Sequence, residues 1–194
     1  IDIDSDISLS GDFTLACWVK SNEALDNTQW ICSGTEVTSG HTNNWQIYDS
    51  GRQRFRIDHT STFSGNNVSG TYEAHKWMHV AITRSSLGIL DYANGKAVGT
   101  SYASNTGVYV IDMIGRYSST YSAWNLKNFA VWERALSESE IANIMHKQYS
   151  ELTGTETTHL KHWYTLESDA TDEKENIDGT NSGATFNSDV YGGD

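Results

Sequence analysis

Apolar and polar residues alternate along much of the first two thirds of the chain. The clearest alternating runs cover residues 13–20, 45–48, 55–57 and 77–83, and clusters of Gly, Ser, Asn and Thr separate them. Successive side chains of an extended strand point to opposite faces, so this alternation indicates strands with one buried face. The pattern predicts an antiparallel sandwich.

A tight turn is predicted at Asn94-Gly95. This pair stands between two apolar runs, at residues 89–92 and 97–98. A type I′ turn needs positive φ at both central positions, which Asn and Gly adopt more easily than other residues. We therefore expect a β-hairpin here, followed by further strands at residues 111–114 and 126–132.

One helix is predicted near residues 138–149. Ser137 and Glu140 have the spacing of a capping box, in which each side chain bonds the backbone N–H of the other residue. Four apolar residues then recur at helical spacing: Ile141, Ile144, Met145 and Tyr149. These signals predict a single short helix in an otherwise β-stranded chain.

The C-terminal part of the chain is predicted to be β-stranded as well. Residues 160–166 have the pattern of a strand, and a stretch rich in Gly, Asn and Asp at 169–183 leads into a short segment at 184–186. No Pro-rich or Gly/Ser-rich linker and no internal repeat divides the sequence. We therefore interpret residues 1–194 as a single domain.

The composition is that of a folded protein with little attraction for polyanions. A hydrophobic fraction of 37%, with 11% aromatic and 20% charged residues, supplies enough apolar surface to offset chain entropy. The chain has 25 acidic and 13 basic residues, a net charge of −12 and no basic cluster. Nucleic acid and anionic membranes are therefore disfavoured as partners. No apolar run approaches the ~20 residues that a membrane helix needs.

The two cysteines, Cys17 and Cys32, lie in separate apolar runs. If these runs form a hairpin that turns around residues 23–27, the two side chains face each other across it. A cross-strand disulfide and a pair of buried free thiols are both consistent with this arrangement. The sequence leaves both possibilities open.

Five segments occur in an order that is typical of one protein family. They are Gly11–Lys20, Trp77–Ala81, Tyr92–Lys96, Ile114–Arg116 and Asn128–Ile141. In residues and spacing they resemble the laminin-G-like, pentraxin-like branch of the concanavalin A-like lectin/glucanase superfamily. The resemblance implies an all-β jelly-roll sandwich of two antiparallel sheets, with the short helix packed beside it.

The C-terminal segment resembles the segment with which domains of that family usually begin. An aromatic strand at 163–166 is followed by an Asp- and Asn-containing turn and by a Gly-Ala strand at 183–186. Three explanations stay open: a circular permutation, a segment cut from a tandem array, or a final aromatic strand like that of pentraxins. We expect the strands near residues 160–190 to lie beside residues 1–10, with the two ends close together.

Residues 117–125 have the composition of a sugar site. Trp124, Tyr121 and Tyr117 offer aromatic rings for the C–H face of a sugar, and Asn125 offers an amide for its hydroxyls. We predict that these four residues bind the ligand. The alternative for Trp124 is packing at the rim or in the core.

A second candidate ligand site contains Asn44, Trp45 and Tyr48. It combines an amide with two aromatic rings, and for Trp45 the alternative is again packing. Trp77 and His79 are assigned to structure instead, because they lie in a strand that resembles the Trp-x-His-Val-Ala strand of the family.

A calcium site is predicted in the acidic turn. Asp169, Asp172 and Asn176 offer the oxygen ligands that Ca²⁺ prefers, and the family resemblance adds support for a structural Ca²⁺. The alternative is a solvated turn whose side chains bond their own backbone. The separate calcium loop of pentraxins would follow Gly115-Arg116, and the residues expected there are missing.

Glycoside hydrolysis has only a poor sequence match. The glucanases of the superfamily use carboxylates in a Glu-x-Asp-x-(x)-Glu strand, and the nearest run is Glu167, Asp169 and Glu173. The outer glutamates are too far apart, and the residues between them are small and polar. We therefore predict a protein that is not an enzyme.

These observations favour a non-catalytic, lectin-like module that binds glycans or glycoproteins. The expected location is extracellular, at a cell surface or at a virion surface, with other domains or copies of the chain as neighbours. The main alternative is a structural or protein-interaction module of a viral particle or surface protein. A glycoside hydrolase is the lesser alternative.

Overall fold

A computed structural model describes residues 1–21, 28–34, 43–48, 54–59, 62–67, 73–102, 107–174 and 176–186. In this part of the chain the fold is nearly all β. The strands that build the two sheets and a small hairpin are β1 (Asp2–Leu9), β2 (Phe13–Ser21), β3 (Gln29–Gly34), β4 (Asn43–Tyr48), β5 (Arg54–His59), β6 (Thr62–Asn67), β7 (Met78–Ser85), β8 (Gly88–Ala93), β9 (Lys96–Tyr102), β10 (Tyr109–Ile114), β11 (Arg116–Tyr117), β12 (Thr120–Tyr121), β13 (Trp124–Trp132), β14 (Leu160–Tyr164) and β15 (Gly179–Thr180).

The strands form two antiparallel sheets, as the alternating pattern predicted. One sheet has the strand order β15-β1-β10-β3-β4-β5-β6, and the other has the order β14-β13-β2-β7-β8-β9. Among the strands that the structure describes, the short strands β11 and β12 pair with each other and join neither sheet. The predicted fold, a jelly-roll sandwich of two sheets with one short helix, is confirmed for the described residues.

Strand β2 shows how the alternation builds two apolar layers. Phe13, Leu15, Cys17 and Val19 are fully buried in the core between the sheets. Ala16, which points the opposite way, belongs to a second apolar cluster outside the sheet. Burying both faces of a central strand removes apolar area from water on each side, worth roughly 25 cal/mol per Å².

The helix packs on that outer face. It covers Glu138–Ile144 and begins with the predicted capping box between Ser137 and Glu140. Its buried residues, Ile141 and Ile144, join the outer cluster. The helix ends at Ile144. Gln148 has extended backbone angles, so Tyr149–Glu151 form a separate 3₁₀ turn and do not continue the helix. The single short helix is confirmed, and it ends five residues before the limit predicted near residue 149.

The predicted hairpin at Asn94-Gly95 is confirmed. It joins β8 to β9, and both turn residues have positive φ, 48° at Asn94 and 78° at Gly95. The turn also touches the helix, since a Cβ on Gly95 would lie 3.1 Å from both the Cα and the Cβ of Ala142. A glycine is therefore required at position 95, because its φ is positive and because Ala142 leaves little room for a Cβ.

Replacing Gly95 with alanine is expected to lower the free energy of unfolding by about 2 kcal/mol, because backbone strain adds to crowding against the helix. Gly154→Ala is the matched control. Gly154 also has positive φ, but a Cβ added there would meet no described atom within 4 Å. We expect only about 1 kcal/mol there. Equal losses in urea denaturation would contradict the packing contribution at Gly95.

The two cysteine-containing strands do not form the hairpin that would bring the cysteines face to face. Strand β2 pairs with β7 and β13, whereas β3 pairs with β4 and β10 in the other sheet. Cys17 and Cys32 are both buried and free. Burial raises the pKa of the Cys32 thiol to about 12 and also raises that of Cys17. Both thiols therefore behave as core residues, which is one of the two alternatives left open.

The C-terminal segment lies beside the first strand. Strand β15 pairs with β1, joining Gly179 to Ile3, and β14 pairs with β13. This agrees with the expected proximity of residues 160–190 and 1–10. Circular permutation, excision from a tandem array and the single-domain interpretation of residues 1–194 stay predictions.

The two residues assigned to structure, His79 in β7 and Trp77 directly before that strand, both contact neighbouring side chains. His79 is buried and its ring lies edge-on against Trp18, at a centroid distance of 5.4 Å. Burial lowers the pKa of His79 to about 3, so its imidazole is neutral at ordinary pH. The ammonium groups of Lys20 and Lys127 lie 5.0 and 5.1 Å from the ring centroid of Trp77.

Among the described residues, no helix has the length and apolar character needed to span a bilayer.

Candidate functional site

A pocket of about 470 Å³ lies where the β12–β13 connection meets the C-terminal segment. Its volume falls within the ~300–1,000 Å³ range that is usual for small-ligand pockets. We call it the loop pocket. Its lining residues come from five parts of the chain: Ile1, Ile114, Gly115, Tyr121, Ser122, Ala123, Trp124, Asn125, Leu126, Leu166, Gly183, Ala184, Thr185 and Phe186.

The β12–β13 connection is held in place by bonds to β3. The hydroxyl of Ser122 donates to the Trp30 carbonyl and accepts from the Trp30 N–H, both at 2.8 Å. The backbone N–H of Ala123 donates to Oε1 of Gln29 at 2.8 Å. These bonds fix the wall that carries the aromatic residues, so the pocket is formed before a ligand arrives.

The opposite wall is stabilised by its own turn. The Oδ1 of Asn181 accepts from the N–H groups of Gly183 and Ala184, at 3.0 and 2.7 Å. Its Nδ2 donates to the Ala184 carbonyl at 2.9 Å. An amide that bonds its own backbone in this way fixes a turn locally. The turn at residues 181–184 is therefore held by its own hydrogen bonds.

An ion pair connects the β11–β12 hairpin to β1, and a hydrogen bond connects β1 to the C-terminal segment. Arg116 pairs with Asp2, and Asp2 also accepts a hydrogen bond from the hydroxyl of Ser182. Burial would raise the pKa of Asp2, but the hydrogen bonds from Ser182 and Arg116 outweigh it and lower the pKa. The guanidinium carbon of Arg116 lies 5.7 Å from the ring centroid of Tyr121. The charged side chains beside the pocket are therefore already paired.

Three of the four residues predicted at 117–125 line the loop pocket. Tyr121 is 54% exposed, and Trp124 and Asn125 are half-buried. Tyr117 is not part of the lining, because its ring stacks on Trp30 with centroids 5.6 Å apart. Ligand binding by these residues stays a prediction, but the structure brings Tyr121, Trp124 and Asn125 to one cavity.

The second predicted cluster does not form an exposed site. Trp45 is 1% exposed and belongs to the core between the sheets, so it cannot stack on a sugar. Asn44 is also buried, at 4% exposed. The side chain of Tyr48 lies outside the described residues. The expectation of an accessible aromatic ring at Trp45 was wrong, because Trp45 and Ile47 occupy the inward positions of β4.

The acidic turn is organised around Asp172, which is fully buried. Its Oδ1 accepts from the N–H groups of Trp163 and Lys174, at 2.8 and 3.1 Å. Its Oδ2 accepts from Nδ1 of His162 at 2.7 Å and from the Ile177 N–H at 3.3 Å. Both carboxylate oxygens of Asp172 are therefore occupied by protein donors.

This arrangement does not fit a calcium ligand set. Asn176 donates its Nδ2 to the Lys161 carbonyl, and Asp169 accepts from the Thr171 N–H. Within the described residues no group of three or more His, Cys, Asp or Glu is placed to hold a metal ion. Calcium coordination by Asp172 would require it to give up its present donors. The calcium site at Asp169, Asp172 and Asn176 stays a prediction that these bonds do not favour.

The weak glucanase-like run, which begins at Glu167, does not lie in a strand. Glu167 and Asp169 lie between β14 and β15, outside any strand of the described chain. A glycosidase pair needs two carboxyl groups held at a fixed separation across the substrate. Nothing in this segment reproduces the geometry on which that pattern depends.

Several residues of the loop pocket were missed by the sequence pattern. Ile1, Ile114 and Leu166 form part of the lining, and residues 183–186 form one wall. These residues are apolar or small and are far apart in the sequence. The one available signal was the resemblance of the C-terminal segment to the opening of the family, which predicted that the two ends lie together.

The comparisons with solved structures support the fold. The native heptameric SAP-like pentraxin of Limulus polyphemus has a TM-score of 0.54 and 17% identity, covering 71% of this chain and 70% of that chain. A protein from Bacteroides ovatus, provisionally named as carbohydrate binding, has a TM-score of 0.64 and 18% identity over 95% of this chain and 58% of that chain. Identities this low establish the fold and nothing further.

A Trypanosoma rangeli sialidase in complex with the inhibitor DANA has a TM-score of 0.54 and 23% identity. The match covers 70% of this chain but only 22% of the sialidase chain. No curated protein sequence matches this chain. The sequence profile of the concanavalin A-like lectin/glucanases superfamily matches residues 1–142. The chain therefore belongs to the concanavalin A-like lectin/glucanase superfamily.

Proposed function

We propose that this protein is a non-catalytic carbohydrate-binding module and that the loop pocket is its binding site. The observation that carries the proposal is the meeting of Tyr121, Trp124 and Asn125 in one preformed cavity. The superfamily includes lectins, and the Bacteroides ovatus protein with the same fold bears a carbohydrate-binding name. These relationships support the proposal at the level of the fold.

The three residues have complementary chemistry. The half-exposed ring of Tyr121 and the half-buried ring of Trp124 can each pack against the C–H face of a pyranose. Asn125 carries an amide that can donate to one hydroxyl and accept from another. A rigid site with aromatic rings and a planar amide binds a sugar without a large ordering cost.

Binding without hydrolysis is the better-supported form of the proposal. The described residues that line the loop pocket include no Asp or Glu. Most glycosidases act through two such carboxyl groups, one of them serving as a proton donor. Measurement of reducing-sugar release from any glycan that binds tests this part of the proposal directly.

We place the module outside the cell, at a cell surface or on a virion, where glycans and glycoproteins are its partners. Its neighbours would be other domains or further copies of the chain. The alternative is a structural or protein-interaction module. The two differ in one outcome, since a purely structural module binds no glycan in the loop pocket.

The test is glycan-array binding followed by titration of the best ligand. Tyr121→Ala and Trp124→Ala are each expected to weaken affinity at least about tenfold, because each removes a stacking surface. Leu87→Ala is the control, since Leu87 is 89% exposed and is not part of the lining. We expect it to leave affinity unchanged. The array is run with and without a calcium chelator.

Tyr121→Ala is the decisive variant because its ring is more than half exposed, so the fold should tolerate its loss. Trp124 also packs against the core, and its variant must be shown to melt normally. Retention of full affinity in Tyr121→Ala and in a folded Trp124→Ala would place the site elsewhere. Failure of every glycan to bind would favour the structural alternative.

A further inference from the structure

The loop pocket has no charged side chain in its lining. None of its described lining residues is Asp, Glu, Lys, Arg or His. The charged pair beside it, Arg116 with Asp2, is neutral as a unit because the two groups bond each other. The α-ammonium of Ile1, also a lining residue, donates to the Ile114 carbonyl at 3.0 Å. A carboxylate or sulfate group entering this pocket would therefore lose its hydration without gaining a cationic side chain as partner, which is unfavourable.

The floor of the pocket is hydrocarbon and is continuous with the core. Ile114 and Leu166 are 1% and 8% exposed, and Leu126 and Phe186 pack against the same cluster. A sugar hydroxyl placed on this floor would lose its water partners without replacement. A methyl group placed there would gain from leaving water. The floor therefore selects a ligand that presents hydrocarbon.

Polar groups lie on both walls of the pocket. Asn125 contributes an amide to the aromatic wall, and Thr185 contributes a hydroxyl to the wall at residues 183–186. The Ser122 hydroxyl bonds Trp30 in both directions. A ligand that fits must therefore be polar toward the walls and apolar toward the floor. The chain as a whole adds a weaker preference against acidic ligands, because its net charge of −12 repels anions at low salt.

Building on the proposed function, we infer that the loop pocket selects an uncharged sugar with a methyl-bearing substituent and discriminates against acidic sugars. The ring packs on Tyr121 and Trp124, and the methyl group lies on the floor formed by Ile114, Leu126 and Phe186. An N-acetylated hexosamine and a 6-deoxyhexose share this chemistry. They differ in the polarity of the atoms that connect the methyl group to the ring.

The test is calorimetric titration with the methyl glycosides of N-acetylglucosamine, fucose, glucose, glucuronic acid and N-acetylneuraminic acid. At least one of the first two is expected to bind about fourfold or more tightly than glucose, the gain for burying one methyl group. The two acidic sugars are expected to bind more weakly than glucose. Comparison of the N-acetylglucosamine and fucose results shows which kind of methyl group the floor takes.

A variant with an added positive charge tests the selectivity independently. Ala123 is an exposed residue of the lining, so Ala123→Arg adds a cation at the rim of the pocket without disturbing the core. This change is expected to raise the affinity for N-acetylneuraminic acid at least about threefold. Leu87→Arg adds the same charge outside the lining and is expected to change no affinity.

The outcomes separate this inference from the proposed function. If glucose or an acidic sugar binds as tightly as the methyl-bearing sugars and Tyr121→Ala abolishes that binding, the pocket is a sugar site but the inferred selectivity is wrong. If no sugar binds at all, both the proposed function and the inference are wrong. Tighter binding of either methyl-bearing sugar that is lost in Tyr121→Ala supports both.

Discussion

Replacing Asp172 with alanine is expected to lower the free energy of unfolding by about 3–5 kcal/mol, the usual cost of removing one partner from a buried charged network. Asp172 is fully buried, and its oxygens accept from His162 and from backbone N–H groups of Trp163, Lys174 and Ile177. Each donor left without a partner costs about 1–3 kcal/mol. The melting temperature should fall by about 10 °C.

Asp169→Ala provides the matched control for Asp172→Ala. Asp169 lies in the same turn but is exposed, and its hydrogen-bond partners among the described residues are Thr171 and Ser168. Its loss is expected to cost less than about 1 kcal/mol. Urea denaturation of both variants checks the comparison. Similar losses for the two variants would mean that Asp172 is not the centre of the turn.

The same carboxylate makes stability depend on pH. Burial would raise the pKa of Asp172, but hydrogen bonds from His162, Trp163 and Lys174 outweigh it and hold the pKa below its ordinary value of 3.8. A group whose pKa is lower in the folded state stabilises the fold above its unfolded pKa, and this contribution disappears as pH falls through the folded pKa. Asp172→Asn lacks this contribution, so the stability difference between it and the wild type should shrink below about pH 4.

Replacing Arg84 with lysine is expected to lower the free energy of unfolding by about 3 kcal/mol, since hydrogen bonds to a charged group contribute about 1.5–3 kcal/mol each. Arg84 is 5% exposed and donates to the carbonyls of Leu9, Gly11 and Gly107, at 2.6–2.9 Å. Its guanidinium carbon also lies 4.5 Å from the ring centroid of Phe13.

A lysine cannot reproduce this pattern, because its single ammonium group lacks the planar fork that reaches three carbonyls from one side. Arg134→Lys is the control for the same chemical change. Arg134 is partly exposed and bonds the carbonyls of Thr155 and Thr158, so its replacement should cost less than about 1 kcal/mol. Equal melting temperatures for the two variants would show that the Arg84 bonds contribute little to stability.

Local patterns in the sequence predicted the parts of the fold that depend on local chemistry. The alternation in β2 identified its two faces, and Asn94-Gly95 identified the turn that follows β8. The capping box at Ser137 fixed the start of the helix. In each case a few adjacent residues carry the whole physical cause, since strand alternation, positive φ and capping all act within about four residues.

The features that the sequence left open or predicted wrongly depended on contacts between distant residues. Cys17 and Cys32 are in neighbouring runs, yet their strands enter different sheets, and strand pairing of that kind is not encoded locally. Trp45 was identified by its type alone, although its two-residue spacing from the apolar Ile47 already indicated that both point inward.

The candidate site likewise combines residues that the local sequence could identify with residues that only the fold brings together. Tyr121, Trp124 and Asn125 are close in sequence, and their chemistry could be recognised from the residue types. The wall at residues 183–186 comes from the other end of the chain, and its position follows from the pairing of β15 with β1. An apolar floor assembled from distant segments has no local signature, so only the folded structure could show it.

The central claim is that the loop pocket binds a carbohydrate. The most direct test is a ¹H–¹⁵N NMR titration of the labelled protein with the best-binding glycan. We predict saturable shifts in the backbone signals of residues 121–126 and 183–186 and in the indole N–H of Trp124, with the Leu87–Gly88 turn unchanged. Shifts confined to residues outside the loop pocket, or no shift with any glycan, would contradict the claim.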